Sequence, residues 1–327
     1  MSVLIVIPAR MKATRLPNKP MAEIGGVPMI VQVWRRAVES GVGEVVVACD
    51  GEEIAGAIRA AGGVAVVTDP DHPSGSDRIW EAVSGSFASI AALEHYASGI
   101  ARQILAQAME PLHGATLIWN ATLTYERKGY HALDSFIYAA SEAQDRPEDK
   151  AFFEKAVLAE AKLWADKEVD DIIINLQGDV PTLAPQLLRE LLLPLANPEV
   201  DIATLVTPIT RDEEHENPSV VKAVIALKEG EKIGRALYFT RCAAPANDGP
   251  RYHHIGVYAY RRYALEKFVA LPPSPLELRE KLEQLRALEA GMRIDVCVVD
   301  TVPLGVDTPE DLARAREILG YANDQDL

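Results

Sequence analysis

The sequence contains only three cysteines, Cys49, Cys242 and Cys297, and they lie far apart in the chain. An odd, scattered set argues against a disulfide framework, so we expect reduced thiols in a cytoplasmic protein. No apolar run reaches the roughly 18 residues that span a membrane. The amino terminus also lacks the charged region and the small-residue cleavage site of a signal peptide, so we expect no membrane insertion.

Basic residues are outnumbered, with 33 lysines and arginines against 48 acidic residues and a formal net charge of −15. General binding to nucleic acid or to an anionic membrane needs a positive surface, so the composition argues against both. One segment departs from this balance. No acid precedes Glu23, whereas Arg10, Lys12, Arg15 and Lys19 follow one another closely.

These basic residues belong to the stretch VIPARMKATRLPNKPM, residues 6–21, which follows an apolar run at residues 3–7 that is typical of a buried strand. Ligands of open α/β sheets bind beyond the carboxyl ends of strands, so Arg10, Arg15 and Lys19 are candidates for binding phosphates. The stretch is neither a Walker A loop nor a G-x-G-x-x-G loop. The simpler alternative is an exposed loop that happens to be basic.

The order of apolar runs predicts an α/β fold. Strands at residues 3–7, 44–50 and 64–69 alternate with helices at residues 29–41 and 51–63, and each helix ends at glycine. This alternation is typical of a parallel sheet that helices cover on both faces.

Residues 84–168 interrupt the alternation, because the next buried strand is expected only at residues 171–179. Alanine-rich stretches with helical periodicity predict an inserted, mainly helical subdomain of unknown role. Within it, residues 115–126 fit a strand pair or a helix.

The insert also contains one spacing of the kind that di-iron bundles use, Glu110 and His113. Such bundles need a second pair and further glutamates, and Pro111 interrupts the pattern, so we reject a metal site there.

Beyond the insert, the pattern predicts a helix at residues 186–195 and strands at residues 201–209, 219–227, 235–243, 252–260 and 293–299. The strand at 252–260 alternates strictly, so we expect it to be exposed on one face. A single helix is expected over 274–291, with Ser274 as N-cap and Glu277 completing a capping box. A final helix is expected over 307–319, with Thr308 as N-cap.

Two aspartates lie at the ends of predicted elements, where they could bind a metal ion. Asp179 ends the apolar strand, and Asp307 stands just before the last helix. Mg²⁺ needs only one or two carboxylates in addition to substrate phosphates and water. The alternatives are a turn residue for Asp179 and a helix-start residue for Asp307.

The turn HPSGSDR, residues 72–78, offers Ser74, the Gly75 amide and Arg78 ahead of a helix. Small hydroxyls and free amides in such a turn could recognise the edge of a base. The alternative is that Ser76 simply caps the following helix.

Two further groups of side chains are predicted, one on a single face of a strand and one on a single face of a helix. Alternation places Tyr252, His254, Tyr258 and Tyr260 on one side of their strand, where they could contact a sugar or simply pack. Helical spacing places Glu280, Glu283 and Gln284 on one stripe, and most such stripes are merely solvated.

Taken in order, VIPARMKATRLPNKPM, HPSGSDR, INLQGDVP, HHIGVYAYR, SPLELREKLEQLR and GVDTPEDL resemble the 3-deoxy-manno-octulosonate cytidylyltransferase family. The resemblance covers residues 1–83 and about 169–320, so we expect residues 1–83 and 169–327 to form one discontinuous nucleotidyltransferase domain. It implies a Rossmann-like, mostly parallel α/β sheet of the nucleotide-diphospho-sugar transferase type. It also implies CTP and 3-deoxy-manno-octulosonate (Kdo) as substrates, Mg²⁺ as cofactor, a cytoplasmic homodimer and a role in lipopolysaccharide synthesis.

The same resemblance implies roles for individual residues. Catalytic roles fall to Lys19, Arg10, Asp179 and Asp307, of which the two aspartates would hold the metal. The nucleotide-binding set is Pro8, Ala9, Arg10, Arg15, Lys19, Ser74, Gly75 and Arg78. The Kdo-binding set is Gln177, Arg241, His254, Tyr258, Glu283 and Gln284.

This sequence departs from the family in two places. Val180 stands where the family often has glutamate, and residues 84–168 have no known family role. The insert follows a helix that returns from the ligand-binding edge of the sheet, so we expect it to project away from the site and to leave catalysis intact.

The reaction that this resemblance implies is an in-line attack of the Kdo anomeric hydroxyl on the α-phosphorus of CTP, with pyrophosphate as the leaving group. Positioning and charge neutralisation dominate such transfers, and no general base is evident. Two alternatives stay open: a related enzyme of the CMP-sialic acid type, and an inactive scaffold whose helical insert binds a partner.

Overall fold

The computed structural model describes residues 3–12, 15–84, 97–98, 100–101, 103–124, 133–165 and 172–321. The chain divides into two compact units. One contains the residues up to Glu81 together with those from Asp171 onward, and the other contains Ala82–Asp170.

The described strands are β1 (Val3–Ala9), β2 (Glu23–Ile24), β3 (Val27–Pro28), β4 (Glu44–Cys49), β5 (Val64–Val67), β6 (Ile172–Asn175), β7 (Ile202–Pro208), β8 (Lys222–Ala226), β9 (Ile233–Thr240), β10 (Tyr252–Arg261) and β11 (Ile294–Val298). Nine of them form one sheet in the order β5-β4-β1-β6-β10-β7-β11-β9-β8, and β2 pairs with β3 separately. The first four strands of this order are parallel to one another. The expected α/β fold is therefore confirmed, and most strands of its sheet run in the same direction.

The parallel half follows directly from the sequence. On β1, Ile5 lies opposite Val45 of β4 and Ile174 of β6, and Ile5 and Ile174 are fully buried. β-branched side chains suit a strand that helices cover on both faces. The carboxyl ends of β1, β4 and β6 consequently lie at one edge of the sheet.

Strand β10 runs antiparallel between β6 and β7, and our expectation of one exposed face is wrong. His254, Ile255 and Tyr260 are at most 7% exposed. Alternation reports only which side chains share a face, whereas the helices at Gln186–Leu192 and Arg262–Ala270 contact β10 and side chains on both of its faces are buried. The rings of His254, Tyr258 and Tyr260 do share a face, with centroids 5.4 Å and 5.9 Å apart in succession.

The described helices are α1 (Met29–Ser40), α2 (Glu52–Ala60), α3 (Gly75–Ser84), α4 (Pro111–Thr124), α5 (Asp134–Asp145), α6 (Lys150–Ala165), α7 (Gln186–Leu192), α8 (Asp212–Glu216), α9 (Arg262–Ala270), α10 (Pro275–Glu280), α11 (Gln284–Glu289) and α12 (Pro309–Ile318). The capping boxes are as expected: Ser274 with Glu277 begins α10, and Thr308 with Asp311 begins α12. Helix α1 ends at Gly41, which has the left-handed conformation (φ 64°) that favours glycine.

The single helix expected over 274–291 is wrong, because Lys281 adopts a left-handed conformation (φ 55°) and separates α10 from α11. Glu280 therefore does not share a helical stripe with Glu283 and Gln284. Carbonyl oxygens freed at this break accept hydrogen bonds from Arg241.

In the second unit, α4, α5 and α6 pack around a separate apolar core. The rings of Phe136 and Trp164 meet edge to face with centroids 6.3 Å apart. Residues 115–124 are helical, which resolves that part of the open alternative, whereas residues 125–126 lie outside the described residues. Glu110 is ion-paired with Lys150 at 2.9 Å.

Candidate active site

A cavity of about 400 Å³ opens at the carboxyl end of β1, within the unit that contains the sheet. Its lining comprises Pro8, Ala9, Arg10, Lys12, Arg15, Leu16, Lys19, Pro20, His72, Pro73, Ser74, Gly75, Arg78, Gln177, Gly178, Asp179 and Asp307. The basic loop, the turn before α3 and the two aspartates thus surround one space, as open α/β sheets lead one to expect.

At the centre of the cavity, Lys19 joins the two aspartates. Its Nζ lies 2.7 Å from Asp179 Oδ2 and 2.8 Å from Asp307 Oδ1. Arg15 adds a second contact, with Nη2 2.9 Å from Asp307 Oδ2. The expected meeting of the basic loop with two sequence-distant carboxylates is therefore present.

Local structure explains how these three side chains are placed. Asn18 in the left-handed conformation (φ 56°) starts the short 3-10 turn Lys19–Met21. Asp179 is held by its backbone, since its carbonyl oxygen accepts the Val306 N–H at 2.8 Å. Asp307 immediately precedes the capping box of α12, and its own N–H donates to Asp311 at 3.1 Å.

The charged forms of Lys19 and Asp307 stabilise each other. Burial opposes the positive charge on Lys19, but Asp179 and Asp307 outweigh this effect and raise the pKa of its ammonium. Burial likewise would raise the pKa of Asp307, but its contacts with Lys19 and Arg15 lower that pKa overall. The site thus keeps both signs of charge at neutral pH.

The turn before α3 is shaped by Ser74 and not by Ser76, so the alternative in which Ser76 caps the helix is wrong. Ser74 Oγ accepts the Asp77 N–H at 3.2 Å and donates to its carboxylate at 2.7 Å. Arg78 is 3% exposed, and its guanidinium donates to Thr68 Oγ1 and to the Pro70 carbonyl. Arg78 therefore both lines the cavity and holds the turn.

Two glycines let backbones approach Pro8. A Cβ on Gly178 would lie 2.9 Å from the Pro8 carbonyl oxygen, and one on Gly75 would lie 3.4 Å from Pro8 Cγ. The close approach at Gly178 brings Asp179 next to the end of β1.

The basic loop has an acidic anchor that our sequence analysis missed. The N–H of Met11 donates to both carboxylate oxygens of Asp50, at 3.2 Å and 3.0 Å. Asp50 directly follows β4, so its position at the ligand-binding edge of the sheet was the available signal. Arg10, next to this anchor, is exposed at the cavity.

Of the expected Kdo-binding residues, Gln177 lines the cavity and donates to Asn175 Oδ1 at 2.8 Å. Arg241 does not line it. The guanidinium of Arg241 donates to the carbonyls of Pro218, Glu280 and Lys281, and the backbone N–H of Arg241 donates to the Glu280 carboxylate at 3.0 Å.

His254 and Tyr258 lie in the aromatic face of β10, outside the cavity lining. His254 Nε2 is 3.0 Å from Thr204 Oγ1, and burial, aided by the charge of His253, lowers the pKa of His254 to about 3. Burial also raises the pKa of Tyr258 well above its usual value. Both side chains are therefore neutral at physiological pH.

Glu283 and Gln284 also lie outside the lining, but Glu283 connects to the turn before α3. The hydroxyl of Ser76 is 3.3 Å from Glu283 Oε2, and Glu283 Oε1 is buried without a hydrogen-bond partner. Burial raises the pKa of Glu283, although the nearby Ser74 hydroxyl opposes this. Gln284 is 6% exposed.

Comparison with known proteins assigns the chain to a family. The family model described as cytidylyltransferase matches residues 4–149 and 146–294. The 3-deoxy-manno-octulosonate cytidylyltransferase of Paramagnetospirillum magneticum is 50% identical over 316 residues, covering 97% of this chain and 97% of that protein. The chain belongs to the 3-deoxy-manno-octulosonate cytidylyltransferase family.

A second member of this family, from Parvibaculum lavamentivorans, is 49% identical and covers 97% of this chain and 92% of that protein. Among solved structures, CMP:2-keto-3-deoxy-manno-octonic acid synthetase complexed with CTP is 31% identical with a TM-score of 0.67. That match covers 98% of each chain. These matches extend over nearly the whole length and therefore include residues 84–168, so the expectation that this segment departs from the family is wrong.

Within the residues that the structure describes, no group of three or more histidine, cysteine, aspartate or glutamate side chains is placed to hold a metal. No described helix is long and apolar enough to cross a bilayer. A metal at this cavity would therefore rest on the Asp179–Asp307 pair and on ligands that the substrate supplies.

Proposed function

We propose that this chain transfers the cytidylyl group of CTP to Kdo, giving CMP-Kdo and pyrophosphate for lipopolysaccharide synthesis. The observation that carries the proposal is the contact of Lys19 with both Asp179 and Asp307 in a cavity lined by the basic loop and by the turn before α3. Relatives named for this activity support the choice of substrates. A related solved structure binds CTP.

We assign the triphosphate to the basic loop. Lys19, Arg15 and Arg10 line the cavity and carry the positive charge that a phosphate chain needs. During transfer, negative charge grows on the leaving pyrophosphate, and fixed cations in a partly enclosed cavity stabilise it more than water does. Lys19 would exchange its contacts with the aspartates for contacts with phosphate oxygens.

The Asp179–Asp307 pair fits Mg²⁺. Carboxylate oxygens are the ligands that this hard cation prefers, and both carboxylates already converge on one positive group, the Lys19 ammonium. When bound, Mg²⁺ would neutralise phosphate charge and lower the pKa of the attacking hydroxyl. Asp179 and Asp307 would hold it.

The nucleoside is assigned to the turn before α3, where Ser74, Gly75 and Arg78 line the cavity. On the strength of the family resemblance, Kdo is assigned to Gln177, Arg241, His254, Tyr258, Glu283 and Gln284. Glu283 supports this arrangement, because it contacts Ser76 of the nucleoside turn and keeps one buried carboxylate oxygen unbonded. A sugar hydroxyl is a suitable partner for that oxygen.

A pyrophosphate-release assay tests the function. Purified protein with CTP and Mg²⁺ should release pyrophosphate with Kdo and not with sialic acid or without acceptor. Release with sialic acid in place of Kdo would favour the CMP-sialic acid alternative. Lys228→Ala, a substitution at an exposed lysine outside the cavity, provides a control for the handling of variants.

The scaffold alternative predicts that the cavity binds no nucleotide. Calorimetry should instead detect CTP binding that depends on Mg²⁺, and absence of binding would favour a scaffold. We also propose a cytoplasmic homodimer, on the strength of the family resemblance, and light scattering of the purified protein tests the dimer.

A further inference from the structure

His72 has no role in the mechanism proposed above, although it belongs to the cavity. It lines the cavity beside Ser74 and Gly75, and its side chain is 18% exposed. An imidazole that is mostly shielded from water needs partners for its ring nitrogens. Its hydrogen-bond partners show which ring nitrogen remains available to a ligand.

Glu81, on α3, supplies one partner. His72 Nε2 is hydrogen-bonded to Glu81 Oε2, and the same carboxylate oxygen accepts the Asp69 N–H at 2.9 Å. A carboxylate bonded to one ring nitrogen fixes both the orientation and the tautomer of a neutral histidine. In this tautomer Nε2 carries the hydrogen, so Nδ1 is a hydrogen-bond acceptor.

No described residue bonds to Nδ1 of His72. Phosphates at neutral pH only accept hydrogen bonds, so an acceptor in this position does not suit the triphosphate. The donors on CTP are the cytosine amino group and the two ribose hydroxyls. The base is assigned to the Ser74–Gly75 turn, which leaves the ribose.

We propose that His72 binds the nucleotide by accepting a hydrogen bond at Nδ1 from a ribose hydroxyl of CTP, and that Glu81 is the residue that positions it. The proposal rests on the proposed function for the identity of the nucleotide. His72 thereby makes the cavity selective for ribonucleotides, and the effect of Glu81 on the nucleotide is transmitted through His72.

The test compares His72→Phe with the unmodified protein by calorimetry at pH 8.5, where histidine side chains are ordinarily neutral. The ligands are CTP, 2′-deoxy-CTP and 3′-deoxy-CTP, each with Mg²⁺. Loss of one neutral hydrogen bond should raise the dissociation constant for CTP about 3- to 10-fold. The substitution should have almost no effect on the analogue that lacks the bonded hydroxyl.

A penalty of the same size for all three nucleotides would indicate a general change of the turn and would overturn the proposal, as would no penalty for CTP. Should phenylalanine unfold the turn, His72→Leu provides the second variant. Asp248→Asn, at an exposed residue outside the cavity lining, provides the control.

Glu81 is tested by a double-mutant cycle. Glu81→Ala should raise the dissociation constant for CTP by a similar factor, and adding it to His72→Phe should change little more. Fully additive effects would overturn the positioning role. Because the readout is nucleotide binding, an enzyme that binds CTP but does not use Kdo would refute the proposed function and leave this test standing.

Discussion

The ammonium of Lys19 lies 2.8 Å from the carboxylate of Asp307, although 288 positions separate the two residues in the chain. Nothing local to either residue produces this contact. It arises because the loop after β1 and the segment before α12 reach the same edge of the sheet. The catalytic proposal depends on this contact and on its counterpart at Asp179.

Replacing Lys19 with alanine should remove most of the turnover and leave the fold intact. The side chain is 15% exposed and its charge is the one shared by both aspartates, so its loss leaves two carboxylates facing each other. We expect kcat to fall about 100-fold or more, in the range known for a single charge-stabilising group. Steady-state kinetics and circular dichroism measure the two effects, and near-normal turnover would remove Lys19 from the mechanism.

Replacing either aspartate with asparagine should weaken the binding of Mg²⁺ at the cavity. If the pair holds Mg²⁺ as proposed, Asp179→Asn and Asp307→Asn would each remove one charged oxygen ligand, so the metal concentration for half-maximal activity should rise about 10-fold or more. Titration of activity with Mg²⁺ measures this. Asp248→Asn, at an exposed aspartate outside the cavity, is the control, and equal midpoints in all variants would exclude the pair as metal ligands.

Gly178→Ala should damage both stability and activity. The added Cβ would meet the Pro8 carbonyl oxygen at 2.9 Å, so the backbone beside Asp179 must move. Overpacking of this kind typically costs about 1–3 kcal/mol. Gly51→Ala is the matched control, because a Cβ there has no neighbour within 4 Å. Denaturant unfolding and kcat measure the effects, and two equally mild variants would contradict the close approach.

His254 should make the protein less stable in weak acid. Its pKa is lowered to about 3 in the folded protein, so only the unfolded chain takes up its proton between the ordinary histidine value near 6.5 and that point. The stability from neutral His254 is therefore complete above about pH 6.5 and falls by about 1.4 kcal/mol per pH unit below it.

Urea unfolding between pH 8 and pH 5 measures this slope. His254→Gln should lose about 2 kcal/mol less than the unmodified protein between pH 6.5 and pH 5. His215→Gln, at a less buried histidine, controls for general effects of histidine removal. Identical slopes in the unmodified protein and His254→Gln would show that the buried imidazole is not responsible.

Much of the fold could be predicted because the responsible signals are local. Apolar, β-branched runs specify β1, β4 and β6, and the residues around Ser274 and Thr308 specify where two helices begin. The convergence at Lys19 was also predictable, because parallel strands place their carboxyl ends at one edge.

Other features depend on contacts between distant residues, which a single sequence does not display. The break at Lys281 runs against the helical propensity of its neighbours and is accompanied by contacts from Arg241. Burial of β10 depends on helices such as α7 and α9 that contact it, which alternation does not report. Ser74 and Ser76 are equally good caps by composition, and only the turn geometry distinguishes them. The partnership of His72 with Glu81 was missed for the same reason.

The pairing of Val3 with Ile172 has a consequence for how the chain is made. β1 can bond to β4 soon after both leave the ribosome, but its other edge must wait until the whole stretch up to residue 171 has been translated. Unpaired strand edges invite aggregation, whereas helices complete their short-range contacts quickly. The nascent chain therefore passes through a stage in which the helices of the second unit can already pack while β1 still lacks its partner β6. We expect the chain to need chaperones most at this stage.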